Sequence, residues 1–125
     1  KKNPMFTPEE RVAFVKKAVA RIPHVEAEAW SGLLTDYARQ KEATVLVKGA
    51  RNVCDFDMEY QMSLINKGIK ADLETVILPA SAQYIHFSSS MAREMIRYGQ
   101  PLEKYLPAEI VPLVDDIAKE KNIRR

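Results

Sequence analysis

The sequence of 125 residues is 46% hydrophobic and 29% charged, a balance that supports one hydrophobic core, and we therefore expect residues 1–125 to form a single domain. Its 19 Lys and Arg nearly cancel its 17 Asp and Glu, and the resulting net charge of +2 argues against a nucleic-acid-binding surface. One cysteine excludes an intramolecular disulfide, the two histidines give no metal-binding pattern, and no apolar run approaches a membrane span, so we expect a cytoplasmic protein with no metal site of its own.

The first helix is predicted by the sequence at its start. Thr7 is a capping residue, Pro8 suits the first helical position, and Glu10 completes a capping box. Apolar residues then recur at helical spacing as far as Pro23, where we expect the helix to end.

The remaining elements are predicted to alternate between helices and short apolar strands. In chain order we expect a helix around residues 33–38, a strand at 43–48 ended by Gly49, a helix at 55–67 ended by Gly68, a strand at 73–78 ended by Pro79, a helix at 88–99 and a terminal helix at 107–121. Short buried strands separated by helices are typical of an α/β fold, in which helices cover both faces of a parallel sheet. Ligands of such open sheets bind at the carboxyl ends of the strands.

Two segments that follow predicted strands carry groups suited to phosphate. Residues 88–93 place three serines at a helix N-terminus with Arg93 within one turn, and the free backbone N–H groups there attract anions. Lys48 and Arg51 flank Gly49 in the other segment. Each also has an ordinary structural interpretation, as a serine cap with a solvated arginine and as a solvated basic loop. The residues alone therefore indicate a phosphate-binding α/β domain and leave its substrate open.

Other reactive side chains have simpler explanations. Asp55, Asp57 and Glu59 stand near the start of a predicted helix, where the helix dipole favours carboxylates. Arg51 and Asp55 are close enough in sequence to form a surface ion pair. Cys54 has no base nearby in sequence, which argues against a catalytic thiol.

Three sequence blocks stand out: K-K-N-P-M-F-T-P-E-E-R at residues 1–11, V-L-V-K-G-A-R-N-V-C-D-F-D-M-E at 45–59 and F-S-S-S-M-A-R-E at 87–94. Together they resemble those of bacterial phosphopantetheine adenylyltransferases. The serine block is shared with many nucleotidyltransferases, whereas the three blocks at these separations are specific. The resemblance covers essentially the whole chain. It implies a Rossmann-like nucleotidyltransferase fold, an open parallel sheet with helices on both faces, that transfers AMP from ATP to 4′-phosphopantetheine.

The resemblance also implies roles for individual residues. Lys2 matches the lysine that binds the phosphate of phosphopantetheine and steadies the transition state, Leu34 matches a contact to the pantetheine arm, and Lys48 falls where the family usually has a substrate-binding arginine. ATP is implied to contact Gly49, Ala50, Arg51, Glu59, Tyr84, Ile85, His86, Phe87, Ser88, Ser89 and Ser90. Such a transfer needs positioning and charge stabilisation rather than a protein nucleophile.

The sequence departs from the family pattern in three places. The family begins with a strand and a T-x-G-H segment that are absent here, so we expect the first strand to be missing, the domain to be N-terminally incomplete and a chain starting at Lys1 to be inactive. Lys48 in place of arginine keeps the charge and loses bidentate phosphate geometry. Phe87 replaces a more usual isoleucine.

The family further implies Mg²⁺ bound with ATP, a homohexamer and feedback by coenzyme A. Two alternatives stay open. One is a related nucleotidyltransferase for another phosphate acceptor, such as nicotinamide mononucleotide or glycerol phosphate; the opening from Lys2 to Arg11 argues against it. The other is a non-catalytic module that binds nucleotides or coenzyme A, which would apply if the missing T-x-G-H segment reflects a natural truncation.

Overall fold

Helices alternate with strands along the computed structural model, which describes residues 4–125. In chain order the elements are α1 (Pro8–Ala18), α2 (Leu34–Gln40), β1 (Val45–Ala50), α3 (Val53–Ile69), β2 (Glu74–Pro79), α4 (Ser89–Arg97) and α5 (Val111–Glu120), with short 3-10 turns at Ala82–Tyr84 and Ala108–Ile110. Each predicted helix and strand is present, which confirms the α/β class. Within residues 4–125, no helix is long and apolar enough to cross a membrane.

The elements belong to two compact units. The sheet unit is Trp30–Ile85, and the helical unit is His86–Arg125 together with the described residues up to Ala29. A single domain over residues 1–125 stays a prediction.

The two strands of the sheet unit pair in parallel, as predicted. Val47 lies opposite Val76 in the register, and α3 connects the strands and packs against both. Alternate side chains along a strand point to opposite faces of the sheet. On one face four apolar side chains are between 45% and 65% exposed, namely those of Val45, Val47, Val76 and Leu78. The strands are therefore less buried than their apolar composition predicts.

The first strand also extends further than predicted. We expected Gly49 to end it, but Gly49 lies opposite Leu78 and Ala50 opposite Pro79 in the parallel register. Gly49 is not among the residues with positive φ, so its backbone has an ordinary conformation and does not force a turn. The predicted basic loop at residues 48–52 is strand as far as Ala50 and becomes a turn only at Arg51.

Two helix ends differ from their predicted positions. α1 ends at Ala18 instead of continuing to Pro23; beyond it the Ala20 and Ile22 N–H groups donate to carbonyl groups three residues earlier, so the chain tightens out of the α-helical form before the proline is reached. α5 begins at Val111 rather than at residue 107. Pro112 has no N–H to donate, and the preceding turn accordingly tightens into the 3-10 form.

The third helix is longer than the predicted 55–67. Asn52 is its N-cap, and the Asn52 Oδ1 accepts a hydrogen bond from the Asp55 N–H at 2.8 Å. This cap starts the helix two residues earlier, at Val53. The helix then continues through Gly68 to Ile69, because a single glycine costs only about 1 kcal/mol in a helix.

The core of the helical unit holds α1, α4 and α5 together. It consists of Phe14, Ile96, Leu102, Ile110, Val114 and Ala118, all at most 8% exposed. Burial of one such large side chain contributes about 1.5–3 kcal/mol. The predicted capping box of α1 is confirmed, since the Thr7 Oγ1 accepts from the Glu10 N–H at 3.1 Å and the Glu10 carboxylate accepts from the Thr7 N–H at 2.8 Å. The core therefore joins the three helices, and the capping box fixes the start of α1.

Candidate functional site

A cavity of about 310 Å³ lies against the inner face of the sheet unit, and we call it the sheet cavity. Leu34 lines it from the start of α2, Lys48 from β1 and Glu59 from α3. These three positions are far apart in sequence, and each had been assigned to substrate or ATP. The structure therefore brings Leu34, Lys48 and Glu59 to one place.

Strand and helix periodicity explains this convergence. Lys48 and Leu46 are two residues apart on β1 and both line the cavity, because alternate strand residues share a face. On α3, Glu59, Met62 and Asn66 follow spacings of three and four, which place them on one face of the helix. Met62 and Asn66 were not among the predicted site residues, although their helical spacing from Glu59 was a usable signal.

Charge and burial inside the sheet cavity are unevenly distributed. The Lys48 Nζ lies 3.3 Å from the Glu59 Oε1, and both side chains are about one-third exposed. Asn66 is buried at 9% exposure. The cavity thus combines apolar walls, a buried amide and a lysine whose charge is balanced by a neighbouring carboxylate.

The turn after β1 holds its arginine against a carboxylate. The Asp55 Oδ2 accepts from the Arg51 backbone N–H at 3.0 Å and from its Nε at 3.1 Å. This is the ion pair that the sequence suggested as the structural interpretation of Arg51. Gly49 and Ala50 precede it within β1, and Ala50 is buried.

The three serines of α4 occupy different positions at the helix start. Ser88 is the N-cap, and its Oγ accepts from the Met91 N–H at 3.1 Å. Ser89 and Ser90 are the first two helical residues, so their hydroxyl groups are not the cap. The Ser90 Oγ accepts from the Arg93 guanidinium at 3.4 Å. Backbone N–H groups of a first helical turn have no partner within the helix and favour anions.

A second cavity, of about 630 Å³, lies beside this helix start, and we call it the helix cavity. Ser89, Ser90 and Arg93 line it together with Arg11 and Arg97, and its apolar wall includes Phe6, Phe14, Ile96 and Ile110. It belongs entirely to the helical unit. Hydroxyl and guanidinium groups beside this apolar wall suit an anionic ligand that also carries an apolar part.

The other assigned residues lie in the connection before α4 or outside the described residues. Tyr84 and Ile85 end the sheet unit, and each is 47% exposed. His86 begins the helical unit, and its carbonyl accepts from the Ser88 N–H at 3.0 Å. Phe87 is partly buried just before the N-cap. Lys2 lies outside the described residues.

No group of three or more His, Cys, Asp or Glu side chains among residues 4–125 is arranged to hold a metal ion. A magnesium ion that arrives with a nucleotide does not need such a group, because Mg²⁺ keeps water ligands and binds substrate phosphates.

Comparison with known proteins identifies the family. The model of the cytidylyltransferase-like family matches residues 1–95. The chain is 37% identical over 115 residues to the phosphopantetheine adenylyltransferase of Synechococcus elongatus, covering 92% of this chain and 69% of the relative. It is 43% identical over 110 residues to that of Alkaliphilus metalliredigens, with 88% and 69% covered, and 41% identical over 118 residues to that of Clostridium kluyveri, with 94% and 71% covered.

These matches confirm the resemblance that the three sequence blocks indicated. They extend well beyond those blocks, across most of both units, so shared short motifs do not account for them. The chain therefore belongs to the cytidylyltransferase-like family and, within it, to the phosphopantetheine adenylyltransferases.

Proposed function

We propose that this protein transfers the adenylyl group of ATP to 4′-phosphopantetheine, giving dephospho-coenzyme A and pyrophosphate. The observation that carries the proposal is the identity of 37% to 43% to phosphopantetheine adenylyltransferases over about nine-tenths of the chain. The sheet cavity offers apolar walls, an amide and a lysine, and the helix cavity offers hydroxyl and guanidinium groups, all of which suit ligands that carry phosphate. A cytoplasmic location is also proposed, since the single cysteine cannot form an intramolecular disulfide and a reducing compartment suits such a protein.

The sheet cavity is proposed to hold the acceptor. The pantetheine arm alternates amide groups with short apolar segments, and the apolar wall of the cavity, with Leu34 and the buried Asn66, matches that alternation. Lys48 supplies a positive charge for the terminal phosphate. A phosphate-binding role for Lys2, which the family resemblance implies, stays a proposal. Coenzyme A contains the same arm, so its proposed feedback would act by occupying this cavity.

The nucleotide is proposed to contact the start of α4 and the turn after β1. Ser89, Ser90 and the free N–H groups of the first turn suit its phosphates. Gly49 to Arg51, Glu59 and residues 84–88 complete the proposed contact set. Mg²⁺ would come with the ATP phosphates and neutralise part of their charge.

The reaction needs no protein nucleophile. A phosphate oxygen of phosphopantetheine forms a bond to the α-phosphorus of ATP, and the bond from that phosphorus to the bridging oxygen of pyrophosphate breaks. Pyrophosphate leaves with the bonding electron pair. Lysine side chains and helix N–H groups lower the barrier by holding the two anions in line and by balancing the charge that develops.

The direct test is pyrophosphate release by the enzyme at its natural full length. Release is expected with ATP and 4′-phosphopantetheine together and not with either alone. Nicotinamide mononucleotide and glycerol phosphate serve as competing acceptors. Faster turnover with one of these would replace the proposed acceptor, and binding of both substrates without any product would favour a non-catalytic module.

Two substitutions of Lys48 refine the acceptor assignment. Lys48→Ala is expected to weaken phosphopantetheine by about 1.5–3 kcal/mol, because a charge-assisted bond to phosphate is lost. Lys48→Arg is expected to bind as well or better, since arginine adds bidentate geometry. The measurement is calorimetric titration of phosphopantetheine, with Lys67→Ala on the exposed C-terminal part of α3 as the control. Equal loss in both lysine-to-alanine variants would remove Lys48 from the site.

A homohexamer is the proposed assembly. The described surface of α3 supports self-association, because four apolar side chains at spacings of three and four form an exposed stripe. We call Val53, Phe56, Tyr60 and Leu64 the α3 stripe; these side chains are 82%, 49%, 50% and 56% exposed. A helix that is apolar on more than its inner face is usually buried by a neighbour.

A further inference from the structure

The single tryptophan of the sequence is joined to the residues that begin α2. The Trp30 indole N–H donates to the Leu33 carbonyl at 2.9 Å. Its ring also packs against the Tyr37 ring on α2, with ring centres 5.1 Å apart. Leu33 is the N-cap of α2, and its side chain makes no capping hydrogen bond. The indole therefore holds the chain at a helix start that has no side-chain cap.

A glycine allows the loop between Trp30 and Leu33 to turn sharply. Gly32 has a φ of +121°, a backbone conformation that residues with a Cβ rarely adopt. A Cβ on Gly32 would lie 3.7 Å from the Trp30 Nε1, so the indole is directly beside the turn. Because glycine has a wide choice of backbone conformations, such a turn needs contacts from other residues to hold it. The indole supplies one of them.

This loop forms part of the wall of the sheet cavity. Gly32, Leu33 and Leu34 all line the cavity that Lys48 also lines. The Leu33 and Leu34 side chains are 56% and 39% exposed, so each has apolar surface that a ligand can cover. Leu34 is also the residue proposed to contact the pantetheine arm. The hydrogen bond from Trp30 therefore acts on a wall at which the acceptor is proposed to bind.

We propose that Trp30 is a positioning residue for 4′-phosphopantetheine, which holds residues 32–34 in the arrangement that contacts the pantetheine arm. The inference rests on the acceptor role proposed for the sheet cavity. A wall that is fixed before the ligand arrives loses less conformational entropy on binding, and this strengthens the affinity. ATP is proposed to contact other elements, so its affinity is expected not to depend on this loop.

The first test is Trp30→Phe in the full-length enzyme, which keeps an aromatic ring beside Tyr37 and removes the N–H donor. Affinity for 4′-phosphopantetheine is expected to fall three- to tenfold, while affinity for ATP stays unchanged in calorimetric titrations. The control is Arg39→Gln on the same helix, which breaks an exposed pair with Asp36 at 3.3 Å and is expected to change neither affinity. Equal weakening of both ligands by Trp30→Phe would make the indole contact merely structural and overturn the inference.

A second test uses the fluorescence of the unmodified enzyme, and it decides the question should Trp30→Phe fold poorly. Trp30 is the only tryptophan among the 125 residues, so the tryptophan emission of these residues depends on its surroundings alone. Pantetheine, which carries the arm without the phosphate, and 4′-phosphopantetheine are expected to change this emission, each with the midpoint of its own calorimetric titration. ATP and inorganic phosphate are expected to leave it unchanged.

Failure of this inference can be distinguished from failure of the proposed function. If 4′-phosphopantetheine does not bind the unmodified enzyme in calorimetry, the acceptor assignment itself fails, and the inference fails with it. If it binds and Trp30→Phe binds it equally well, the acceptor assignment stands and the positioning inference is wrong. Binding that leaves the emission of Trp30 unchanged would reject the positioning inference in the same way.

Discussion

The serines at the start of α4 can be told apart by substitution, because only Ser88 caps the helix. Replacing Ser89 and Ser90 by Ala together is expected to weaken ATP more than phosphopantetheine, since both hydroxyl groups stand at the anion-favouring end of the helix. Calorimetric titration of each ligand measures this. Thr7→Ala, which removes the cap of α1 outside the proposed contact set, is the control; it is expected to cost about 1 kcal/mol of stability and to leave the affinity for ATP unchanged. Equal or absent effects of the double substitution on the two ligands would return Ser89 and Ser90 to a structural role.

Thr35 on α2 carries a buried hydroxyl group that has no hydrogen-bond partner among residues 4–125. Its side chain is 1% exposed. Burying an unpaired hydroxyl opposes folding. Thr35→Val, which has nearly the same shape, is therefore expected to raise the free energy of unfolding by about 1 kcal/mol in urea denaturation. Ser63→Ala is the comparison, because that hydroxyl donates to the Tyr60 carbonyl at 2.6 Å; a stabilising effect there and none at Thr35 would contradict this explanation.

Helix starts were the most predictable feature at the scale of elements. The capping box at Thr7 and the cap at Ser88 depend on residues three apart, so their signal is local and survives folding. Strand ends were less predictable. Gly49 lies within β1 because pairing with β2 continues past it, and pairing between distant segments is not encoded in the glycine itself. The predicted end of α1 and the predicted start of α5 were wrong because the chain there forms tight turns with hydrogen bonds between residues three apart.

The ion pair between Glu10 of α1 and Lys121, the C-cap of α5, is expected to stabilise the fold in a pH-dependent way. The Lys121 ammonium that donates to Glu10 holds the pKa of that carboxyl group below its ordinary value of 4.5, with help from the Thr7 N–H. A carboxylate with a lowered pKa stabilises the fold above its unfolded pKa, and that stabilisation is lost as the pH falls through the folded pKa. Thermal unfolding should therefore show a loss of stability below about pH 4.5 that is shallower in Glu10→Gln. Glu9→Gln, in the same helical turn, is the control. If Glu10→Gln and the unmodified protein lose stability equally as the pH falls, the Glu10–Lys121 ion pair does not contribute to stability.

At the scale of the whole molecule, sequence blocks indicated the family and most of the candidate residues, but not the shape of the site. Leu34, Lys48 and Glu59 share one cavity because a helix start, a strand and a second helix converge there. Nothing local in the sequence links these three residues. Asn66 could have been grouped with Glu59 from their spacing along α3, but which face of α3 the sheet buries is decided by packing between distant segments.

The α3 stripe leads to a prediction about assembly. Its Phe56 and Tyr60 rings lie nearly parallel with centres 6.3 Å apart, and together with Val53 and Leu64 they form a continuous exposed apolar surface. Water contact with such a surface is unfavourable, so covering it against another copy would lower the free energy of the assembly. Leu64→Arg places a charge in this surface without disturbing a buried contact, because the Leu64 side chain is 56% exposed.

Light scattering coupled to size exclusion is expected to give a mass of six copies for the unmodified protein and a smaller mass for Leu64→Arg. Gln61→Arg is the control, because Gln61 lies outside the stripe and already bonds to Asp57 at 2.9 Å, so an arginine there meets a carboxylate instead of an apolar neighbour. That variant should keep the full mass. An unchanged mass in Leu64→Arg would exclude the α3 stripe from the subunit interface, and a monomeric unmodified protein would reject the hexamer itself.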